Sequence, residues 1–354
     1  MHYHRLSVRA VRAETREAVV VTLAVPAELR ETFRFTQGQH LNLRATIDGE
    51  EVRRSYSICA AVGDGELRIA IKRQTGGVFS TWAQQGIKVG MELEAMPPAG
   101  LFHTPLEAGA ARRYLAIAAG SGITPVLSLI KTTLAAEPRS EFTLFYGNRA
   151  SSSIMFRQEL GDLKDQYLER FTLVHVMSRE QQDLDLLNGR LTPEKVGALL
   201  RVWGPLAGME AVFVCGPHEM NREVAAFLQS QGLAKERIKV EQFATSQQRR
   251  PLPVVRASEG ASTEAELILD GHHYRFPVRR GQESILDAGL RAGLELRYSC
   301  KGGVCATCRA KLIEGEVDMD GNFALEDYEI ARGFILTCQS FPVTGRVVVD
   351  FDQD

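Results

Sequence analysis

Hydrophobic and polar positions change their rhythm twice along the chain. Near the start, Leu6, Val8 and Ala10 alternate with polar neighbours, and a β-branched run over 19–25 stops at Pro26. Short runs follow at 41–45, 55–59 and 67–72, most of them bounded by Gly, Asp or Pro. Period-two alternation between turn residues is the mark of strands. Several at this spacing predict an antiparallel β-barrel over residues 1–105. From residue 106 the runs become continuous: 114–119, 142–146, 171–177 and 211–214 are rich in apolar residues, as strands buried on both faces are. Helical segments separate them, so residues 106–245 are expected to form an α/β domain with a doubly wound parallel sheet and ligands at the strand C-termini. Residues 246–262 have few large apolar side chains and read as a linker. Over 263–354 short strands return. Two flank the turn pair Asp270-Gly271, Ser284-x-x-Asp287 marks a helix start, and 347–349 is a last strand.

The turns between these elements carry the candidate chemistry. Gly76-Gly77-Val-Phe-Ser80-Thr81 leads from a strand into a short helix, with Ser80 and Thr81 as expected N-caps. Glycines ahead of a helix N-terminus make a phosphate seat, because free N–H groups and the dipole both favour an anion. Gly120-Ser-Gly122-Ile-Thr124-Pro125 does the same after the first parallel strand. Thr124 is placed to cap a helix over 126–134, and Pro125 sits at its first position. Proline replaces the third glycine of the usual dinucleotide fingerprint, but the close-approach argument survives. Arg149, Ser178 and Arg179 fall at strand ends, where cations and hydroxyls suit a 2′-phosphate and so favour NADPH, with NADH possible. In Arg54-Ser55-Tyr56-Ser57 an aromatic face could hold a flat ring and a guanidinium a phosphate. Each of these has a plainer reading, as a core aromatic, a capped turn or an exposed loop charge.

The chain has six cysteines, and four of them form Cys300-x4-Cys305-x2-Cys308 followed, after 29 residues, by Cys338. That is the plant-type spacing for a 2Fe-2S cluster, and thiolate is the soft ligand that selects iron-sulfur or zinc. Zinc is the alternative, but its sites usually come as two short paired knuckles. No leader-like segment opens the chain, so disulfides have no support and a cytoplasmic protein is expected. A net charge of −2 and a pI near 6.5 argue against a nucleic-acid surface, and the apolar stretch 114–130 is too interrupted for a membrane span. Charge is unevenly shared. Residues 264–354 hold 10 basic against 16 acidic side chains, whereas the first 263 hold 32 against 28. Such an imbalance could steer docking.

Taken together, these segments resemble the ferredoxin-NADP reductase superfamily with an added C-terminal plant-type ferredoxin domain of β-grasp fold. The resemblance covers essentially the whole chain. It implies that Arg54, Tyr56 and Ser57 hold FAD, with Gly77 and Ser80 at its pyrophosphate. It implies that Gly120, Gly122, Thr124 and Pro125, with Gly216 and Pro217 of Cys215-Gly-Pro-x-x-Met220, hold the nicotinamide nucleotide. Cys215 would lie near the hydride path, and Phe243 of Glu241-Gln-Phe243 near the flavin, yielding when nicotinamide enters. Within the superfamily the similarity is to the reductase components of phenylacetyl-CoA epoxidases, which implies an electron relay from NADPH through FAD and 2Fe-2S to a di-iron oxygenase. A reductase for an aromatic-ring dioxygenase or another di-iron monooxygenase stays open, as does a redox-sensing protein. FMN in place of FAD is not excluded by the residues.

Overall fold

The computed structural model describes residues 2–243 and 262–353, and the chain divides into two compact units, Met1–Phe243 and Ala244–Asp354. The expected linker over 246–262 lies outside the described residues except for Ser262.

The first unit opens with six antiparallel strands: β1 (His4–Thr15), β2 (Ala18–Ala24), β3 (His40–Ile47), β4 (Glu50–Ser57), β5 (Leu67–Lys72) and β6 (Glu92–Ala95). Their order is β4-β3-β6-β1-β2-β5, and a bridge between Ile58 and Ile69 joins the two ends into a barrel. Alternate residues such as Leu6, Val8, Val19, Val21, Leu41, Leu43, Ile69 and Ile71 point inward and are buried. Strand β6 was not foreseen; its four residues, Glu-Leu-Glu-Ala, put only Leu93 and Ala95 inside. Helix α1 (Val78–Gln85) closes one end of the barrel with Phe79 and Ala83.

Five parallel strands follow: β7 (Arg113–Ala119), β8 (Glu141–Asn148), β9 (Phe171–Met177), β10 (Met209–Cys215) and β11 (Ile238–Glu241). Their order is β11-β10-β7-β8-β9, and helices α2 (Ile123–Ala136), α3 (Arg157–Gln166), α4 (Pro193–Trp203) and α5 (His218–Ser230) connect them. One face of the sheet buries Tyr114, Ala116, Phe142 and Phe213 against α2 and α3, together with Ala18, Val20 and Ala70 of the barrel wall. The other face buries Leu115, Ile117, Val212 and Val214 with α4 and α5. The strand order reverses between β7 and β10, and ligands of such folds bind in the crevice at that point.

The second unit is a β-grasp. Strands β12 (Ser262–Leu269), β13 (His272–Arg279), β14 (Arg309–Glu314), β16 (Phe334–Leu336) and β18 (Arg346–Asp350) form a mixed sheet ordered β13-β12-β18-β14-β16. Strands β15 (Val317–Met319) and β17 (Ser340–Pro342) form a separate pair, and helices α6 (Ile285–Arg291) and α7 (Asp327–Ala331) complete it. The Asp270-Gly271 hairpin is as expected: both residues have positive φ, 50° and 74°, as a two-residue turn of this hand requires. Their N–H groups donate to the Asp352 carboxylate at 2.8 Å, so the C-terminal segment fastens the turn. Ser284 caps α6 as expected, accepting from Asp287 N at 3.1 Å.

Candidate functional site

The loop after β7 and the loop after β10 meet at the switch point. Residues Gly120–Gly122 wind a 3-10 turn that runs directly into α2. A Cβ at Gly122 would stand 2.5 Å from the carbonyl carbon of Cys215 and closer still to its oxygen, so only glycine lets the loops touch. A Cβ at Gly216 would stand 3.1 Å from Ala119 Cβ and press on the movable end of Met220, and Pro217 sits at the N-cap of α5. The helix begins earlier than expected. Gly122, not Thr124, is at the N-cap, and Thr124 Oγ1 instead donates back to the Ser121 carbonyl at 3.0 Å. Pro125 therefore lies in the first turn but not at its first position, because the two glycines allow winding to start at residue 120. Tyr146, fully buried, donates to the Gly120 carbonyl at 3.0 Å and fixes the turn from below.

A side chain that sequence reasoning passed over completes this corner. Lys72, the last residue of β5, brings its Nζ within 3.8 Å of where a Gly120 Cβ would be. Burial, and the nearby Arg149 charge, weaken its hold on the proton, offset in part by Glu17. Such a cation beside a glycine turn is placed for an anion. Its position at a strand end was visible, but no spacing tied it to residue 120.

The barrel supplies the opposite wall. Ser57 Oγ donates to Glu241 Oε2 at 3.1 Å, and the register sets Cys215 beside Ala118 on one side and Glu241 on the other. Ser57, Gly122, Cys215 and Glu241 are thus brought together from four elements. Cys215 is fully buried, which with the neighbouring Glu241 holds its thiol well above the ordinary range. Phe243 is half-buried against the core under this corner. Tyr56 points to the other face of β4, its ring 5.4 Å from that of Phe79, and burial raises its phenol. Arg54 is exposed and donates to the Arg53 carbonyl at 2.7 Å.

At α1 the capping differs from expectation. The N-cap is Gly77, and Ser80 Oγ folds inward, accepting from Gln74 N at 3.0 Å and donating to Gly77 O at 3.2 Å. A Cβ at Gly77 would lie 2.6 Å from that hydroxyl. Ser80 therefore shapes the turn from behind, and the backbone of residues 76–78 is the part left to face a ligand. A groove of about 490 Å³ runs beside it, lined by Gly76, Gly77, Val78, Trp82 and the β3–β4 turn.

The ends of β8 and β9 are laced together. Ser178 N donates to Asn148 O and Arg179 N to Arg149 O, at 2.9 and 2.8 Å, leaving Arg149, Ser178 and Arg179 side by side and exposed. Glu180 was not foreseen among them. Its carboxylate accepts from the hydroxyl and the N–H of Ser151, which hold its pKa low. An acid at this place favours a bare ribose, so it counterweights the arginines.

In the second unit Cys300, Cys305 and Cys308 lie on the loop between α6 and β14, and Cys338 follows β16. Cys300 contacts both Cys305 and Cys338, and Cys338 contacts Cys308; none is in a disulfide. Contact with Cys300, then burial, push the Cys305 thiol well above its usual range. Thiols crowded in this way cannot all ionise unless a cation is present, and metal binding requires thiolates. The loop offers donors to sulfur: Gly302 N to Cys300 at 3.3 Å and Thr307 Oγ1 to Cys305 at 3.1 Å. Lys301, Gly303 and Ala306 take positive φ, and a Cβ at Gly303 would lie 2.5 Å from Gly321 O. Gln339 Nε2 donates to Lys301 O at 3.0 Å, and Thr337 donates to Cys308 O through both N and Oγ1. Those bonds tie the distant cysteine arm to the loop. Among the described residues, no three donors close around one point as a single ion would need. The fit to a two-iron cluster rests on the convergence of the four thiols and their spacing.

Comparison with known families is consistent along the chain. An oxidoreductase FAD-binding domain matches residues 6–104, an oxidoreductase NAD-binding domain 116–226, and a 2Fe-2S iron-sulfur cluster binding domain 267–343. The chain is 47% identical over 350 residues to one of the subunits of the 1,2-phenylacetyl-CoA epoxidase of Escherichia coli K12, covering 99% of this chain and 98% of that one. The chain belongs to the ferredoxin-NADP reductase superfamily, in the branch with a C-terminal 2Fe-2S domain. It is 33% identical over 353 residues to the ferredoxin reductase component of 3-ketosteroid-9-alpha-monooxygenase from Rhodococcus rhodochrous, covering 98% and 96%. Among solved structures, phthalate dioxygenase reductase superposes with a TM-score of 0.61 at 23% identity, covering 99% and 98%, which attests the fold. As a member of this branch, the chain is an NAD(P)H oxidoreductase that uses FAD and a 2Fe-2S cluster for electron transfer. No helix among the described residues is long and apolar enough to cross a membrane.

Proposed function

We propose that this chain is the NADPH-dependent reductase of an oxygenase, specifically the di-iron enzyme that epoxidises phenylacetyl-CoA. The observation that carries the assignment is the 47% identity, sustained over practically the full length of both chains, to a component of such an epoxidase. The division into a FAD domain at 1–105, a nicotinamide domain at 106–245, a linker at 246–262 and a cluster domain at 263–354 belongs to the same reading. When bound, FAD would supply the conversion of an electron pair into single electrons and the 2Fe-2S cluster a one-electron relay, each held by the residues named below.

The protein positions and does not react. Arg54 would pair with phosphate, Tyr56 would cover the flavin and Ser57 would contact its ring. Gly77 would give the pyrophosphate its backbone N–H groups while Ser80 braces the turn. Gly120, Gly122, Thr124 and Pro125 would seat the nicotinamide nucleotide with Gly216 and Pro217, and Arg149, Ser178 and Arg179 would take the 2′-phosphate. Cys215, at the end of β10, would lie near the hydride path, and Phe243 would have to yield as nicotinamide enters. Cys300, Cys305, Cys308 and Cys338 are the proposed cluster ligands. Good alignment of donor and ring is worth several orders of magnitude in rate.

The test is reconstitution. Purified chain is mixed with the catalytic components of the epoxidase, phenylacetyl-CoA, oxygen and NADPH, and product is followed with NADPH consumption. Consumption that depends on the thioester and matches epoxide formed is expected. Rapid reduction of an artificial acceptor with no epoxide, alongside support of a ring dioxygenase, would reassign the client.

A further inference from the structure

The barrel, α2 and α3 meet in a cluster of charges to which the functions proposed so far give no role. Lys131, in the second half of α2, places its Nζ 2.6 Å from Asp64 Oδ2 and 2.8 Å from Glu159 Oε1. Asp64 ends a short 3-10 turn in the barrel segment after β4, and Glu159 lies in the first turn of α3. Arg68 of β5 donates from Nη2 to the same Glu159 oxygen at 2.7 Å and to the Cys59 carbonyl at 3.3 Å, and its Nε lies 3.5 Å from Glu66. Lys131, Asp64, Glu159 and Arg68 are between 13% and 27% exposed, so salt screens them little. Next to them Asp64 Oδ2 accepts from Ala61 N at 2.8 Å, and Thr132 Oγ1 from Val62 N at 3.2 Å.

We propose that Lys131 is a positioning residue that keys α2 to the flavin barrel, and so sets how the nucleotide turn at the start of that helix faces the flavin strand. Both ends of the link are stiff. On the barrel side, residues 58–64 continue directly from β4, which carries Ser57, and Ile58 N and Cys59 N donate to Gln39 O and Arg68 O. On the sheet side, about 13 Å of hydrogen-bonded helix joins Lys131 to the turn at Gly120–Gly122, so the two move as one body. Apolar packing also holds α2 near the barrel, through Cys59, Val20 and Ala70. That attraction is non-directional and tolerates sliding; ion pairs of 2.6–2.8 Å to one ammonium do not. The direction of failure follows from the charges. Without Lys131, carboxylates of the barrel and of α3 that now share a cation would face each other, and their repulsion would part the two bodies. Hydride transfer requires near-attack geometry, in which a misplacement of about 1 Å costs about a hundredfold. The proposal rests on the reading of the barrel as the flavin carrier and of the glycine turn as the nucleotide seat.

The test is stopped-flow reduction of the FAD-loaded full chain by saturating NADPH. The limiting rate of flavin bleaching, the apparent Kd for NADPH, the FAD content and the urea midpoint are measured for each variant. Lys131→Met should lower the limiting rate by about tenfold or more while FAD content stays at the wild-type level. Lys131→Arg keeps a cation between the carboxylates and should restore most of the rate. Combining Lys131→Met with Asp64→Asn should recover part of it, because the facing charges are gone and the asparagine oxygen can still accept from Ala61 N. A lower urea midpoint in Lys131→Met with an unchanged limiting rate would mean that the lysine only stabilises, and overturns the proposal. Should Lys131→Met not retain FAD, Asp64→Asn alone decides: a clearly slower limiting rate supports the joint, and a wild-type rate refutes it. A wild-type chain whose flavin is not reduced by NADPH would overturn the functional reading and this inference with it, before any variant is made.

Discussion

Replacing Gly122 by alanine tests whether the touching of two loops is what the nucleotide crevice depends on. The new methyl would stand 2.5 Å from the Cys215 carbonyl carbon, against the 3.4 Å or more of ordinary contact. The carbonyl oxygen is nearer still, so one backbone must retreat by more than about 1 Å, a shift of the size that costs about a hundredfold in rate when it falls at a site. Neither side yields easily. Cys215 is hydrogen-bonded in register between β7 and β11, and Gly122 leads straight into α2 under a fixed Tyr146. Where side chains can repack, extra methylenes cost about 1–3 kcal/mol; with backbone on both sides we expect about 3 kcal/mol. The assays are urea unfolding of the full chain and steady-state NADPH oxidation with ferricyanide, read as kcat/KM. Gly161→Ala is the control: nothing lies within 4 Å of its added methyl on α3. It should stabilise by about 0.5–1 kcal/mol, as Ala for Gly does in a helix, with kcat/KM unchanged. A Gly122→Ala protein with wild-type midpoint and kcat/KM would refute the reasoning.

Four other outcomes are expected. Cys305→Ser should abolish the cluster absorbance while NADPH still bleaches the flavin; loss of both with FAD still bound would show that the two centres are not separately assembled. Arg179→Ala should raise KM for NADPH by about tenfold and leave NADH nearly unchanged, because a charge-assisted contact to the 2′-phosphate is lost; equal effects would make it a bystander. Glu137→Ala removes a fully buried carboxyl that accepts from Tyr114 OH, Ser140 Oγ and Glu107 N, and stranding those donors should cost about 3 kcal/mol or more in urea unfolding. Glu241, with a folded pKa near 8 above its unfolded value, binds a proton in the native state that the unfolded chain releases. Its contribution is complete below the unfolded pKa and fades as pH rises toward 8, with a slope of at most about 1.4 kcal/mol per unit; Glu241→Gln should flatten the fall by that amount.

How much of this could be read from the chain depends on whether the signal is local. The parallel strands announced themselves because strands covered on both faces have no polar alternation to keep, as Tyr114 to Ala119 illustrate. The hairpin at Asp270-Gly271 was legible because two positive φ angles in succession leave few residue choices. Strand β6 was not, since four residues with two glutamates look like a loop until β1 and β3 are seen on either side. The helix caps were misjudged for a related reason. Ser80 and Thr124 have the right side chains, but glycine lets the helix start sooner, and both hydroxyls then turn back on the preceding turn.

The site divides along the same line. The proposed cluster ligands stood out because three of the four cysteines sit within nine residues and the soft-metal requirement narrows them to one residue type. Residues that act across the barrel and the sheet did not. Ser57 and Glu241 are 184 residues apart in sequence, and no spacing ties Lys72 to the Gly120 turn. What assembles them is topology: a barrel closed on itself brings the last residues of β4 and β5 to the end of the parallel sheet where β7 and β10 part. Among the groups gathered there is a lysine beside the glycine turn, a charge suited to an anion seated at that turn.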